Sequence, residues 1–113
     1  MAINNDLFKG TLQTIILNLL SENERMYGYE ITQKVKQITQ GELLLKEGAL
    51  YPTLHKLETD GLLETSTLVV GNRVRKYYAL SQDGEAEVLN KLEEAKNFIR
   101  NLELLLNLKP SLT

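Results

Sequence analysis

Lys46-Glu47-Gly48-Ala49-Leu50-Tyr51-Pro52-Thr53-Leu54-His55-Lys56-Leu57-Glu58-Thr59-Asp60-Gly61-Leu62-Leu63-Glu64 is the stretch whose reading decides the fold. Leu50, Leu54 and Leu57 recur at helical spacing, so one face is buried while Thr53, His55 and Lys56 point elsewhere. Pro52 falls in the first turns, where a helix tolerates its missing amide hydrogen. Asp60-Gly61 ends the helix, because glycine accepts the left-handed conformation just past a helix terminus. Two β-like runs follow, 62–70 and 74–80, joined through Gly71-Asn72, residues that accept positive φ in a turn. The hairpin's tip and return strand carry Arg73, Arg75 and Lys76, with no acid between Gly71 and Leu80. Strand alternation puts Arg73 and Arg75 on one face and Lys76 on the other.

A helix with an exposed polar face, followed at once by a hairpin with a cationic tip, can hold a duplex at two places. The helix enters the major groove, and the hairpin lies on the backbone or the adjacent minor groove. Upstream, Asn4 or Asn5 is placed to cap a first helix running to about Leu20, with Leu7, Leu12, Ile15, Ile16, Leu19 and Leu20 as a broad apolar band. Gly10 within it either admits a neighbouring helix closely or is incidental. Residues 21–25 read as a polar loop. A second helix opens at Met26-Tyr27-Gly28-Tyr29-Glu30 and continues to about Ile38, with Tyr27, Ile31, Val35 and Ile38 on one face and Gly41 as its stop. Leu43-Leu44-Leu45 is too short for a helix. It reads as a small buried strand pairing with the hairpin, or as a packed linker. The order helix-helix-strand-helix-strand-strand is that of a winged helix-turn-helix domain, an α+β and mostly α fold, over residues 1–80.

Residues 81–113 are a different kind of element. Ser81 is a good N-cap, and Asp83 and Glu85 complement the helix dipole in the first turn. Val88, Leu92, Ala95, Ile99, Leu102 and Leu106 then alternate in steps of four and three, widened by Leu89, Phe98 and Leu105. The helix is expected to reach about Leu108, before Lys109-Pro110. At 1.5 Å per residue it is roughly 40 Å long, more apolar face than so small a domain covers by itself. A homodimer through this seam is expected, with the first helix contributing; the alternative is that the helix folds back on its own domain.

The totals restrict the function classes. The 113 residues are 42% hydrophobic and 25% charged, ordinary for one globular domain. No apolar run is long enough to span a bilayer, and the N-terminus lacks a signal peptide's basic start and apolar core, so a cytoplasmic protein is expected. With no cysteine and His55 as the only histidine, a metal site or a histidine-based triad has almost nothing to be built from, and no cofactor is implied. The net charge of −2 runs mildly against nucleic acid, yet residues 1–80 balance nine Lys+Arg against nine Asp+Glu, so their distribution decides.

Each candidate has a plainer reading. Arg73, Arg75 and Lys76 suit phosphate contacts, against ordinary solvated charge. Gly48 and Ala49 suit close approach of backbone to DNA; Thr53 and His55 are placed for base edges, and Lys46, Tyr51 and Lys56 for phosphates. Tyr51 reads equally as a core aromatic beside Leu50 and Leu54, and His55 alone as an ordinary surface residue. Tyr27-Gly28 offers a hydroxyl and free amides to a phosphate, or is simply a cap. Tyr77-Tyr78 alternate across the return strand and read as structural.

At these residues the chain resembles the PadR family of transcriptional regulators. The matching blocks are Gly10 with the following helix, Tyr27-Gly28-Tyr29-Glu30-Ile31, the run from Gly48 to Glu58, Asp60-Gly61-Leu62-Leu63, and Arg75-Lys76-Tyr77-Tyr78-Ala79-Leu80-Ser81 with Gly84. Together they cover most of the chain from Gly10 to about Leu106. The resemblance implies a dimeric repressor of the small subgroup, bound to an inverted-repeat operator through the third helix and the wing. It also implies release when a small aromatic, phenolic or drug-like molecule, or another signal, alters the dimer. The DNA-facing residues it implies are Tyr27, Gly28, Lys46, Gly48, Tyr51, Thr53, His55, Lys56, Arg73, Arg75 and Lys76. Ser81 stands where threonine is usual, and there is no tryptophan to stack on a planar ligand; Leu92, Phe98 and Ile99 line any inter-subunit cavity. The competing class is a protein-interaction module that uses the seam and has no DNA role. An enzyme ranks third, since no nucleophile, base and orienting group cluster in the sequence.

Overall fold

The computed structural model describes residues 7–108, so the expected cap at Asn4 or Asn5 and the stop at Lys109-Pro110 lie outside it. A 3-10 turn, Lys9–Thr11, leads into α1 (Leu12–Glu22), β1 (Met26–Tyr27), α2 (Gly28–Ile38), α3 (Glu47–Thr59), β2 (Leu63–Val70), β3 (Arg73–Leu80) and α4 (Gln82–Leu105). The three strands form an antiparallel sheet in the order β1-β3-β2. This is the expected winged helix with a long C-terminal helix.

The decisive stretch folds as its spacing requires. Leu50, Leu54 and Leu57 are fully buried, joined by Ile16 and Leu17 of α1 and Ile31 of α2. Gly61 adopts φ +79° just past α3, and Gly71 φ +62° in the hairpin turn. The register is continuous from Leu63↔Leu80 at the base to Val70↔Arg73 at the tip.

Three local expectations are corrected, and one open alternative is decided. Met26-Tyr27 does not open α2; it forms β1, pairing with Tyr78 and Tyr77. Tyr27 is extended, and its amide donates to the Glu30 carboxylate, so the helix starts at Gly28 with that orphan donor satisfied. Because β1 occupies the edge of β3, Leu43-Leu44-Leu45 forms no strand and is the packed linker, with Leu43 and Leu45 buried. Gln40 (φ +54°) and Gly41 (φ +84°) reverse the chain there, and the Leu43 amide donates to Thr39 Oγ1 at 3.0 Å. Ile38 lies at the end of α2 and is exposed rather than sharing the buried face of Ile31 and Val35. α1 begins at Leu12 and keeps Ser21 and Glu22 helical, while Gly10 sits in the 3-10 turn with open space where a side chain would stand.

The junction between α3 and α4 is tight. Ser81 caps α4 by accepting from the Gly84 amide at 3.0 Å, and its hydroxyl donates to the Gly61 carbonyl at 2.7 Å. The Ser81 amide donates to the Leu62 carbonyl. Gly84 is buried so closely that a side chain there would strike the same carbonyl. The first turn of α4 is therefore fixed to the end of α3 by backbone contact.

Candidate nucleic-acid interface

With Leu50, Leu54 and Leu57 turned inward, α3 presents the stripe Gly48, Pro52, His55 and Thr59, all exposed. Those spacings of four, three and four are one side of a helix. His55 is thus presented outward as expected. Thr59 shares the stripe although the sequence reading does not include it; the available signal is its place four residues beyond His55. Thr53 is set differently. Its hydroxyl donates to the Ala49 carbonyl at 2.8 Å, and it lines a mostly apolar pocket of about 470 Å³ with Leu12, Leu43 and the stripe residues Gly48 and Pro52. A Cβ atom at Gly48 would meet nothing within 4 Å, so this residue's smallness leaves the helix surface open.

Tyr51 flanks the stripe on the side of the wing. It is 44% exposed, so the core-aromatic reading fails, yet its hydroxyl is seated against Gly28. A side chain at Gly28 would lie 2.8 Å from Tyr51 Cζ and displace the ring. Gly28 at the start of α2 and Tyr51 on α3 are therefore one contact. They line an open groove of about 800 Å³ together with Tyr27, Arg73, Arg75 and Lys76.

The cations divide into two sets. Lys56 pairs with Asp60 at 3.1 Å, and Lys76 pairs with Glu58 of α3 at 3.4 Å. Glu58 also accepts from Thr65 Oγ1, so it ties α3 to both strands of the wing. By contrast Lys46, Arg73, Arg75 and Arg25 have no ion pair among the described residues. Arg73 stands exposed beside the turn. The Arg75 guanidinium lies 4.0 Å from the centre of the Tyr27 ring, and Arg25 lies 4.4 Å from that of Tyr77. Hydrogen bonding to Tyr77 raises the pKa of Arg75 above its already high ordinary value, so it remains a cation. Tyr78 is buried, and that burial pushes its phenol up, so it stays neutral under the wing. Tyr77 and Tyr78 thus divide outward and inward as their alternation requires. In the sequence Arg25 reads as loop, because only the pairing of β1 with β3 brings it to Tyr77.

An exposed helix stripe, and beside it a groove that Tyr51 of the same helix shares with Arg73 and Arg75 of the wing, are the parts of a winged-helix DNA reader. The model of the transcriptional regulator PadR-like family matches residues 16–94. The chain belongs to the PadR-like family. Transcriptional regulator Rv3488 of Mycobacterium tuberculosis is 38% identical over 71 residues, 63% of each chain. A transcriptional regulator from Clostridium thermocellum has a solved structure similar to this one, with a TM-score of 0.79 and 30% identity over 87% of this chain and 95% of that one. Bacillus subtilis PadR, solved in complex with operator DNA, gives a TM-score of 0.65 at 30% identity. That likeness covers 72% of this chain and 46% of the B. subtilis chain, so it spans less than half of that protein. The PadR-like match contains every candidate DNA-facing residue from Tyr27 to Lys76, and it stops within α4. Among the described residues no helix is long and apolar enough to cross a membrane.

Proposed function

We propose that this PadR-family chain is a sequence-specific repressor that binds an inverted-repeat operator as a homodimer and is released by a small molecule or another signal. Residues 1–80 read the DNA, and 81–113 join two copies. The observation that carries this reading is the exposed stripe of α3 beside a wing tip whose Arg73 has no ion pair among the described residues. Base edges fall to His55 and its stripe neighbours. Phosphates fall to Lys46, Tyr51, Arg73 and Arg75, whereas the Tyr27 amide already donates to Glu30 and Gly28 is buried under Tyr51, so the expected phosphate site at the start of α2 is closed. Lys56 and Lys76 hold surface ion pairs, worth about 0–1 kcal/mol each, so a phosphate can draw either away.

The dimer rests on α4. Val88 is buried, but Leu92, Ile99, Leu102 and Leu106 are 36–58% exposed along the seam, with Ala95 half-buried between them. A two-fold pairing along this seam sets the recognition helices about 34–36 Å apart, one turn of the duplex. A releasing molecule that entered between the paired helices near Leu92, Phe98 and Ile99 would alter that spacing through the fixed α3–α4 junction.

Recovery and sequencing of the genomic fragments that the purified protein retains should yield one inverted-repeat motif. Arg73→Ala should weaken binding to every sequence and lower the salt slope by about 0.9 per protomer. A parent protein with no salt-dependent DNA affinity would reject the reading in favour of a protein-interaction module.

A further inference from the structure

The face of β3 opposite Lys76 carries an arrangement that begins at the groove shared with Tyr51 and runs away from the recognition helix. Arg73, Arg75 and Tyr77 alternate onto this face of β3, and the register sets Tyr27 of β1 directly across from Tyr77. The two rings meet edge to face, with centroids 5.5 Å apart and planes at 81°. Arg75 covers the Tyr27 ring and Arg25 covers the Tyr77 ring, giving a row of cation, ring, ring, cation. Neither arginine has an ion pair among the described residues; the Glu30 carboxylate, which accepts from the Tyr27 amide, acts on Arg75 only through space.

We infer that Arg25, which lies outside both the helix-turn-helix and the hairpin, is a further DNA-backbone contact, and that Tyr77 and Tyr27 are positioning residues that hold Arg25 and Arg75 for it. A ring satisfies the flat face of a guanidinium and leaves its edge, with the N–H donors, directed outward. An arginine already restrained on a ring gives up less rotamer freedom when a phosphate arrives. The row thereby extends the cationic strip from Arg73 at the tip toward the body of the domain, continuing past the start of α2. Lys56 and Lys76, engaged with carboxylates on the α3 side, are not part of this strip.

This inference rests on the DNA-binding reading, and one experiment separates the two. Affinity of the whole chain for a non-specific duplex is measured across a salt series for the parent, Arg73→Ala, Arg25→Ala, Tyr77→Phe and Tyr77→Leu. Thermal unfolding is followed in parallel. Arg25→Ala is expected to lower the salt slope by about 0.9 per protomer with an unchanged melting temperature. Tyr77→Leu should reproduce that loss, and Tyr77→Phe, which keeps the ring, should restore the parent slope. If Arg73→Ala flattens the slope but Arg25→Ala leaves it at the parent value, the inference is overturned and DNA binding stands. If the parent shows no salt dependence, both fall. Should Tyr77→Leu fold poorly, Arg25→Ala decides alone, because Arg25 is exposed and its removal leaves the core intact.

Discussion

The two halves of α4 carry the same apolar repeat in different surroundings. The proximal half is built into the protomer: Gly84 is pressed against the Leu62 carbonyl, and Val88 is buried against the core that contains α1. In the distal half nothing among the described residues covers Phe98 and Ile99, which are 55% and 57% exposed. One seam therefore does two jobs. Near the wing it packs within the chain, and farther out it is the exposed surface on which the proposed second copy would pack. The family match ends near the division, at residue 94.

Substitutions along the helix should separate those jobs. Val88→Asp is expected to have the largest effect, since it buries an unpaired carboxylate at a cost of several kcal/mol; circular dichroism should show loss of the cooperative thermal transition at every protein concentration. Leu92→Asp combined with Ile99→Asp should leave the protomer folded but monomeric by sedimentation, with poor operator binding. A stable dimer in that variant would show that the distal half is not the interface. Gly84→Ala sets a methyl group against a carbonyl at the junction and should cost roughly 1–3 kcal/mol, read from chemical denaturation, with the oligomeric state unchanged. Lys91→Ala breaks the exposed pair with Glu94, 3.6 Å apart, and should change stability by less than about 1 kcal/mol; a larger loss would mean the middle of α4 is buried in the assembled protein.

Legibility from sequence followed the range of the interactions. The helix from Glu47 to Thr59, its glycine stop, the hairpin turn and the Ser81 cap all depend on neighbours within four residues, and each was readable. The opposite facing of Arg75 and Lys76 was readable too, from strand alternation alone. The strand partner was not. Leu43-Leu44-Leu45 has the composition of a strand, but Met26-Tyr27 takes the edge of β3 because Tyr27 is held extended by the cap of α2. The occupation of Lys76 by Glu58, eighteen residues away, had no local sign either. Nor did the seating of Tyr51 on Gly28, which joins two motifs that read as independent.

By itself the sequence determined the helices, the wing, the cationic tip and an apolar repeat too long for one small domain, because period, capping and turn chemistry act over a few residues. Only the tertiary structure decided which cations are engaged and which are available, that Arg25 stands on Tyr77, and where the α4 seam passes from core to open surface. Those outcomes depend on groups brought together from distant parts of the chain, and neither pattern nor propensity records such distances.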